Sequence, residues 1–351
     1  MDPVVNSDVS SSGYVLEQST FRKNILITGV SGMLGGYFLE YICQLARFNS
    51  IKCRIVGITR HQSTYLKILA DHYSDVLKID VPSSIQSHIL ESNDWLVIHA
   101  ASPASPESYL TSQLALIETN IINTLEIARA LASSGGHLIL LSSGEVYGAT
   151  PDLPTTETSY SGFNHLEVRG WYPESKRAGE LIAQNFASHY GFNSTSLRIY
   201  HTFGPGVNLD QSRIFSTVIR SIVEQIPIQL RTTGSAKRSF LYASDLMQAI
   251  LICSAQHGSS VYNVAGNDEL SIFEFAEKGG EIGGENCPVL VTPNLDTGSI
   301  GTVLESPILR GLADTSALKA LGWEPRVSIS DGLSRTANSI LWRNENIDTN
   351  K

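Results

Sequence analysis

The stretch NILITGVSGMLGG (Asn24–Gly36) decides the fold. An apolar run ends on Gly29, and Gly32 and Gly35 follow at regular intervals. The next residues, MLGGYFLEYICQLA, carry apolar side chains at helical spacing. A strand that turns through glycines into a helix presents free backbone N–H groups and a positive dipole end to an anion. Glycines there permit a tight turn and a close approach of the backbone to a pyrophosphate. The pattern predicts a dinucleotide site built from Gly29, Ser31, Gly32, Met33, Leu34 and Gly35.

Outward from this turn the chain alternates. CRIVGIT, VLKID, WLVIHAA, HLILLSS and STSLRIYHTFG read as further strands, and LALIETNIINTLEIARALA and ESKRAGELIAQNFASHY read as helices. Continuous apolar strands separated by helices imply a parallel sheet covered on both faces. The expected fold is α/β, a Rossmann-like doubly wound parallel sheet with a smaller C-terminal substrate-binding lobe. The polar, serine-rich residues 1–20 read as a flexible tail or a surface-packed arm. Residues 21–204 form the expected dinucleotide-binding domain, with 239–265 returning to it. Residues 205–238 and 266–345, richer in Gly, Pro and Ser, form the expected substrate lobe.

The 351 residues carry 25 Lys and Arg against 34 Asp and Glu, a net charge of −9 with no basic cluster. That balance disfavours nucleic acid and anionic membranes as partners. No apolar run reaches membrane-spanning length. Cys43, Cys53, Cys253 and Cys287 stand apart, which suits reduced thiols in a cytoplasmic protein. The nine histidines show no HxxxH spacing, so no metal site is expected.

The second strand ends on Thr59 and Arg60, where a site for NAD usually carries an acid that holds the ribose hydroxyls. Arg60 could instead meet a 2′-phosphate, so NAD is expected with NADP left open. Asp80 and Val81, after the third strand, are placed to meet an adenine edge. Among thirteen tyrosines, only Tyr172 has a lysine four residues on, Lys176, on the same helix face. A phenol with a pKa near 10 is a poor base at neutral pH. A nearby ammonium and a nicotinamide cation both favour its phenolate. Ser143, at the end of the preceding strand, is placed to position a substrate hydroxyl, and Glu145 follows it in SSGEVYG (Ser142–Gly148).

Together these residues resemble the extended short-chain dehydrogenase/reductases that modify nucleotide-linked sugars. TGVSGMLGG matches that family's GxxGxxG turn and YPESK its YxxxK. HAASPASP, SSGEVYG, YPESKRAGE, RIYHTFGPG, GSAKRSFLYASDL and LGWEP are most similar to the UDP-glucuronate decarboxylase and sugar-nucleotide dehydratase group. The resemblance implies that Tyr172 and Lys176 serve hydride transfer with Ser143 as partner. It implies cofactor contacts at Ala100 and Ala101 and substrate contacts at Ser102, Asn120, Ser143, Gly144 and His201. Arg213, Arg238 and Arg310 match arginines that grip a diphosphate or a charged sugar. It also implies a homodimer acting on a nucleotide sugar.

Oxidation at C4 of the sugar acidifies C5, and Glu145 would serve the step that follows. A dehydratase would use it to remove the C5 proton, and a decarboxylase to orient the ring and assist loss of CO2, with Arg310 holding the carboxylate. Many 4,6-dehydratases carry an aspartic acid where this chain has Gly144. The decarboxylases carry threonine and serine at the positions of Ser143 and Gly144, and many relatives have asparagine in place of His201. The leading reading is decarboxylation of a UDP-glucuronate-type sugar. Dehydration, 4- or 5-epimerisation and NADPH-dependent keto-sugar reduction are the alternatives, and a regulator that has lost catalysis is a reading of another class.

Overall fold

The computed structural model describes residues 1–12, 22–105, 111–150, 153–162, 164–292, 308 and 310–347. Strands β1 (Asn24–Thr28), β2 (Arg54–Ile58), β3 (Leu77–Asp80), β4 (Trp95–His99), β5 (Gly136–Ser143) and β6 (Asn193–Ile199) form one sheet with a later strand, β11 (Ser259–Val264). The order is β11-β6-β5-β4-β1-β2-β3, and every pair is parallel. The strand order reverses between β1 and β4, where a doubly wound sheet opens a crevice at its carboxyl ends.

Side-chain alternation shows why both faces are covered. Ile25 and Ile27 of β1 pack with Ile55, Leu96 and Ile98 into one core. That core is shared with α2 (Met33–Phe48), α3 (Thr64–His72) and α8 (Ala243–Ser254). Leu26 points the other way and joins Val56, Val97, Leu138 and Leu140. Against them pack α4 (Ile85–Leu90), α5 (Asn123–Ser134) and α6 (Trp171–Tyr190). With no polar face to spare, the strands read as continuous apolar runs.

The smaller lobe has its own core, in which Phe203, Phe215, Phe240 and Phe275 meet Leu333. It is built from α7 (Ile214–Glu224), α9 (Ile272–Gly283) and α10 (Ile329–Asn346) with short sheets. The pairs are β7 (Thr202–Phe203) with β10 (Leu241–Tyr242), and β8 (Ile228–Leu230) with β13 (Val289–Val291). The third sheet places β9 (Lys237–Ser239) between β12 (Glu269–Ser271) and β14 (Arg310–Gly311). The expected domain boundaries do not follow these cores. Phe240 and Tyr242 belong to the lobe, whereas Trp323 packs in the core of α2 and donates its indole N–H to Asp245 O at 2.8 Å.

Of the two forms expected for the opening residues, a flexible tail or a packed arm, the described part takes the second. Pro3–Ser11 forms a helix, α1, with Asp2 as a side-chain N-cap and Pro3 in its first turn. Val5 and Val9, one turn apart, are buried against the sheet core, which contributes about 1.5–3 kcal/mol each. Asp8 is bonded to Tyr37 on α2, Tyr242 on β10 and Arg335 on α10. The described part of the tail is thus an arm that ties the sheet to the lobe, and the rest, 13–20, lies outside the described residues.

Candidate functional site

The glycine turn sits at the reversal of strand order. Gly29 has φ +74°, and a Cβ there would lie 2.6 Å from Ala101 Cα. A Cβ on Gly35 would lie 2.3 Å from Gly29 O, so β1, the turn and α2 close on one another only without side chains. Gly32 is different: its Cβ would meet Gly29 O at 3.3 Å, a contact a small adjustment relieves. As the N-cap of α2 it supplies no side chain to cover the first-turn N–H groups, and Ser31 and Gly32 are exposed. The open, uncapped helix start fits a pyrophosphate. Beyond the turn, Ser102 Oγ and Asn120 Oδ1 are buried with no hydrogen-bond partner among the described residues, as expected of atoms that meet a ligand.

The other expected cofactor contacts are less open. Thr59 turns its hydroxyl onto its own loop, donating to His61 O at 2.9 Å. Arg60 is exposed at the loop surface. The Asp80 carboxylate accepts from Val81 N–H at 2.8 Å and lies 3.0 Å from both Lys78 and His88. The Val81 amide first, then Lys78, hold it well below the usual carboxylate range. Val81 itself is half exposed.

A hydrogen-bonded wire joins the glycine turn to the next helix. Ala101 N–H donates to Thr28 Oγ1 at 3.1 Å, and the Thr28 hydroxyl donates to His99 Nδ1 at 2.7 Å, because the neutral ring carries its one proton on Nε2, against a carbonyl. His99 Nε2–H then donates to the Thr119 carbonyl at 3.0 Å. Burial first, then Lys176, push the His99 imidazole down to about 4, which keeps it neutral in this role. Thr119 and Asn120 lie in a π turn, Glu118–Ile122, of the kind that recurs at functional sites. Asn120 Nδ2 donates to Ser175 Oγ at 2.9 Å, which docks the turn on α6.

At the carboxyl ends of β5 and β6 a cavity of about 360 Å³ opens between sheet and lobe. Ser143, Gly144, Glu145 and Tyr172 line it together with Met33 and Leu34 from the glycine turn. Tyr172 hydrogen-bonds Ser143. Burial pushes its phenol up to about 12, with the Glu145 charge adding and the Ser143 bond opposing. Lys176 lies one turn on, its Nζ donating to Leu141 O at 2.7 Å and 5.9 Å from the Tyr172 ring centre. Burial brings its ammonium down to about 7.

Glu145 stands in a short turn, Gly144–Tyr147, and its N–H donates to Ser143 Oγ at 3.2 Å. Its Oε1 lies 3.6 Å from Arg169 Nη2, and its buried Oε2 accepts no hydrogen bond among the described residues. Gly144 has a steric reason: a Cβ there would lie 2.6 Å from the Tyr200 ring. The aspartate or serine that relatives carry would displace that ring. His201 borders the cavity and is exposed there; its partial removal from water, then Arg238 and Arg213, lower its imidazole below the usual range. It stands there as a neutral donor–acceptor where an asparagine would otherwise be.

The arginines divide. Arg213 donates to Ala104 O. Arg238, nearly buried, donates to Ile308 O at 2.6 Å and to Lys237 O at 2.8 Å. Arg310 is at the rim, half exposed and held by both oxygens of Glu269 at 2.5 and 2.9 Å. Arg169, which sequence reasoning passed over, stands beside Glu145 instead. It lies in the turn Val168–Gly170 before α6, where no motif marks it. Tyr200 left no signal at all.

The family described as the NAD dependent epimerase/dehydratase family matches residues 25–265. The chain belongs to that family. Among relatives, UDP-glucuronic acid decarboxylase 6 of Arabidopsis thaliana is 26% identical over 316 residues, 90% of this chain and 88% of its own. UDP-glucuronic acid decarboxylase 1 of Xenopus tropicalis is 26% identical over 320 residues, 90% of this chain and 71% of its own. The UDP-glucuronic acid 4-epimerase from Bacillus cereus, solved with UDP-glucuronic acid and NAD, has the same fold. Its TM-score is 0.75 at 20% identity over 91% of this chain and 99% of its own. Among the described residues, no helix is long and apolar enough to cross a membrane.

Proposed function

We propose that the protein uses NAD to modify a nucleotide-linked sugar through transient C4 oxidation, with decarboxylation of a UDP-glucuronate-type substrate as the leading reaction. The observation that carries this reading is the acid inventory of the cavity. Among the described residues that line it, Glu145 is the one acid, set against Arg169, Arg213, Arg238 and Arg310. Expelling a hydroxyl, as 4,6-dehydration does, calls for a second acid to protonate it, and Tyr200 occupies the space beside Gly144 where one would stand. A 4-keto uronate needs no such acid. Its carboxylate is β to the ketone, so CO2 departs with the bond electrons moving toward C4.

NAD fits the glycine turn, with Gly29, Gly32 and the first turn of α2 at the pyrophosphate and Lys176 and Tyr172 toward the reacting end. When bound, it supplies a hydride acceptor and a positively charged ring. The chain's own residues do the rest. Tyr172 takes the C4 hydroxyl proton, oriented by Ser143. A phenol near 12 needs added positive charge to serve, and Lys176 contributes while its ammonium persists. Arg238 and Arg213 suit the diphosphate, and Glu145 orients the sugar ring. The similarity to the Arabidopsis and Xenopus decarboxylases supports this reading, and the likeness to the Bacillus 4-epimerase favours epimerisation as the second one.

Incubation with UDP-glucuronate and NAD, followed by mass spectrometry and NMR, tests it. Loss of CO2 with no net change in NADH is expected. Loss of water, or unchanged mass with altered ring couplings, would replace decarboxylation by dehydration or epimerisation. In a parallel incubation with NADPH and a nucleotide-linked keto-sugar, stoichiometric NADPH consumption would replace the redox-neutral scheme altogether.

A further inference from the structure

This inference rests on reading the cavity as a nucleotide-sugar site and concerns the residue beside Glu145. Three elements bring charged or titratable groups to that carboxylate. Arg169 comes from the turn Val168–Gly170 before α6, Tyr172 from α6 itself and Arg238 from β9. Arg213 and His201 stand behind Tyr172 and Arg238, and Arg310 is occupied by Glu269. Arg169 is 13% exposed, so its guanidinium is a fixed part of the wall and not a solvated surface group. The chain is folded hard to put it there: a Cβ on Gly170 would lie 2.5 Å from Asn164 O.

A bare carboxylate here works against the base. Tyr172 must lose its phenolic proton, and a negative charge nearby opposes that loss. A guanidinium on Glu145 Oε1 offsets the charge and leaves Oε2 available. We propose that Arg169 is a positioning residue: it fixes the Glu145 carboxylate in the cavity wall and offsets its charge beside Tyr172, leaving Oε2 to accept a hydrogen bond from a sugar hydroxyl.

Four proteins test this: wild type, Arg169→Gln, Glu145→Gln and the double variant. The first measurement is the pH dependence of kcat on the nucleotide sugar that the wild type converts. The second is the ultraviolet difference titration of Tyr172 against Tyr172→Phe, which needs no substrate. Arg169→Gln should move the rising limb of kcat to higher pH by about one unit, and so lower kcat below the limb about tenfold, with KM nearly unchanged. Arg169→Lys should restore most of the limb position. Glu145→Gln should move the phenol titration down, and adding Arg169→Gln to it should shift the titration back by much less than Arg169→Gln shifts it alone, because the carboxylate that the guanidinium fixes is gone.

A limb that stays in place overturns the proposal. So does a shift of equal size with and without Glu145, or a rise in KM alone, which would make Arg169 a direct contact of the substrate's anion. If the wild type converts no nucleotide sugar, the functional reading fails, and the phenol titration still decides this inference. Should Arg169→Gln not fold, Arg169→Met serves the same comparison.

Discussion

The acids of the N-terminal arm and the acid of the cleft are built to opposite rules. On the N-terminal arm, Asp8 is saturated: Oδ1 takes Arg335 at 2.7 Å, and Oδ2 takes the Tyr37 and Tyr242 hydroxyls at 2.7 and 2.9 Å. Asp2 takes Val4 N–H on one oxygen and Ser339 and Arg343 on the other. Glu40, beside it, takes the Asp2 N–H and Gln44 on Oε1, with Tyr65 on Oε2. In the cleft, Glu145 has one loose ion pair and one oxygen that accepts nothing. Removal from water is costly to an acid in either place. The arm offsets that cost with bonds, whereas the cleft holds an acceptor in reserve, as a site awaiting a polar ligand does.

The largest effect expected from this contrast is at Tyr172. Tyr172→Phe should lower kcat by about 10³-fold or more, while thermal unfolding and NAD binding stay close to wild type. The phenol hydroxyl bonds Ser143 and faces the cavity, and the phenylalanine ring keeps the packing against Leu116, so little folding energy goes with it. Retained turnover would remove Tyr172 from the chemistry and the cleft from its special status.

Asp8→Ala should behave in the reverse sense. It leaves Arg335 and two phenols without their shared acceptor, and chemical denaturation should show a loss of about 3–5 kcal/mol. Per folded molecule, kcat should change little. A loss under 1 kcal/mol would show that the arm's bonds contribute no more than a surface pair. Gly144→Thr is next in size: the added atoms meet the Tyr200 ring, and overpacking should cost about 1–3 kcal/mol. A fully stable threonine variant would mean that Tyr200 yields easily and that the acid inventory of the cleft is less constrained than it looks.

The two regions should also tilt stability in opposite directions with pH. Burial raises the Asp8 carboxyl above its ordinary value. Between its unfolded and folded pKa the native state binds the extra proton, so this group's contribution falls as pH rises above about 4. Burial lowers Lys176 from 10.5 to about 7. Over that window the unfolded chain binds more protons, so the contribution of Lys176 rises with pH. Unfolding free energies measured across pH for Asp8→Asn and Lys176→Met should lose the falling and the rising slope respectively. Unchanged slopes would mean that other groups dominate the titration.

What could be read from the chain alone follows the range of the interactions. The parallel sheet was legible because each strand carries its own continuous apolar run, and the glycine turn and YPESK are each confined to a few residues. Ser143 and Glu145 could be singled out because they sit directly after a recognisable strand. Arg169 was hidden in a loop, and its partner lies 24 positions earlier on another element. The steric role of Tyr200 over Gly144 exists only after β5 and β6 pair. The arm was only half legible, for a different reason. Its local signals, Asp2 before Pro3 and valines one turn apart, were present, but a serine-rich stretch of nine residues cannot hold a helix by itself. Arg335 and Arg343, which anchor it, come from α10, more than 300 positions away.

The smallest effect is the most instructive. Glu145→Gln breaks one loose ion pair and removes a charge whose second oxygen has no bond to lose. The amide fills the same volume, and its NH2 can meet solvent in the cavity. Unfolding free energy should therefore move by less than about 1 kcal/mol, and it rises if desolvation of the carboxylate outweighs the pair with Arg169. Turnover should fall by about 10²-fold in the same protein if, as proposed, the reserved acceptor serves the later step. A large loss of stability would place Glu145 with the saturated acids of the arm, as a structural group that happens to face a cavity. A stable protein that has lost turnover is the outcome that separates a group held for a substrate from one held for the fold.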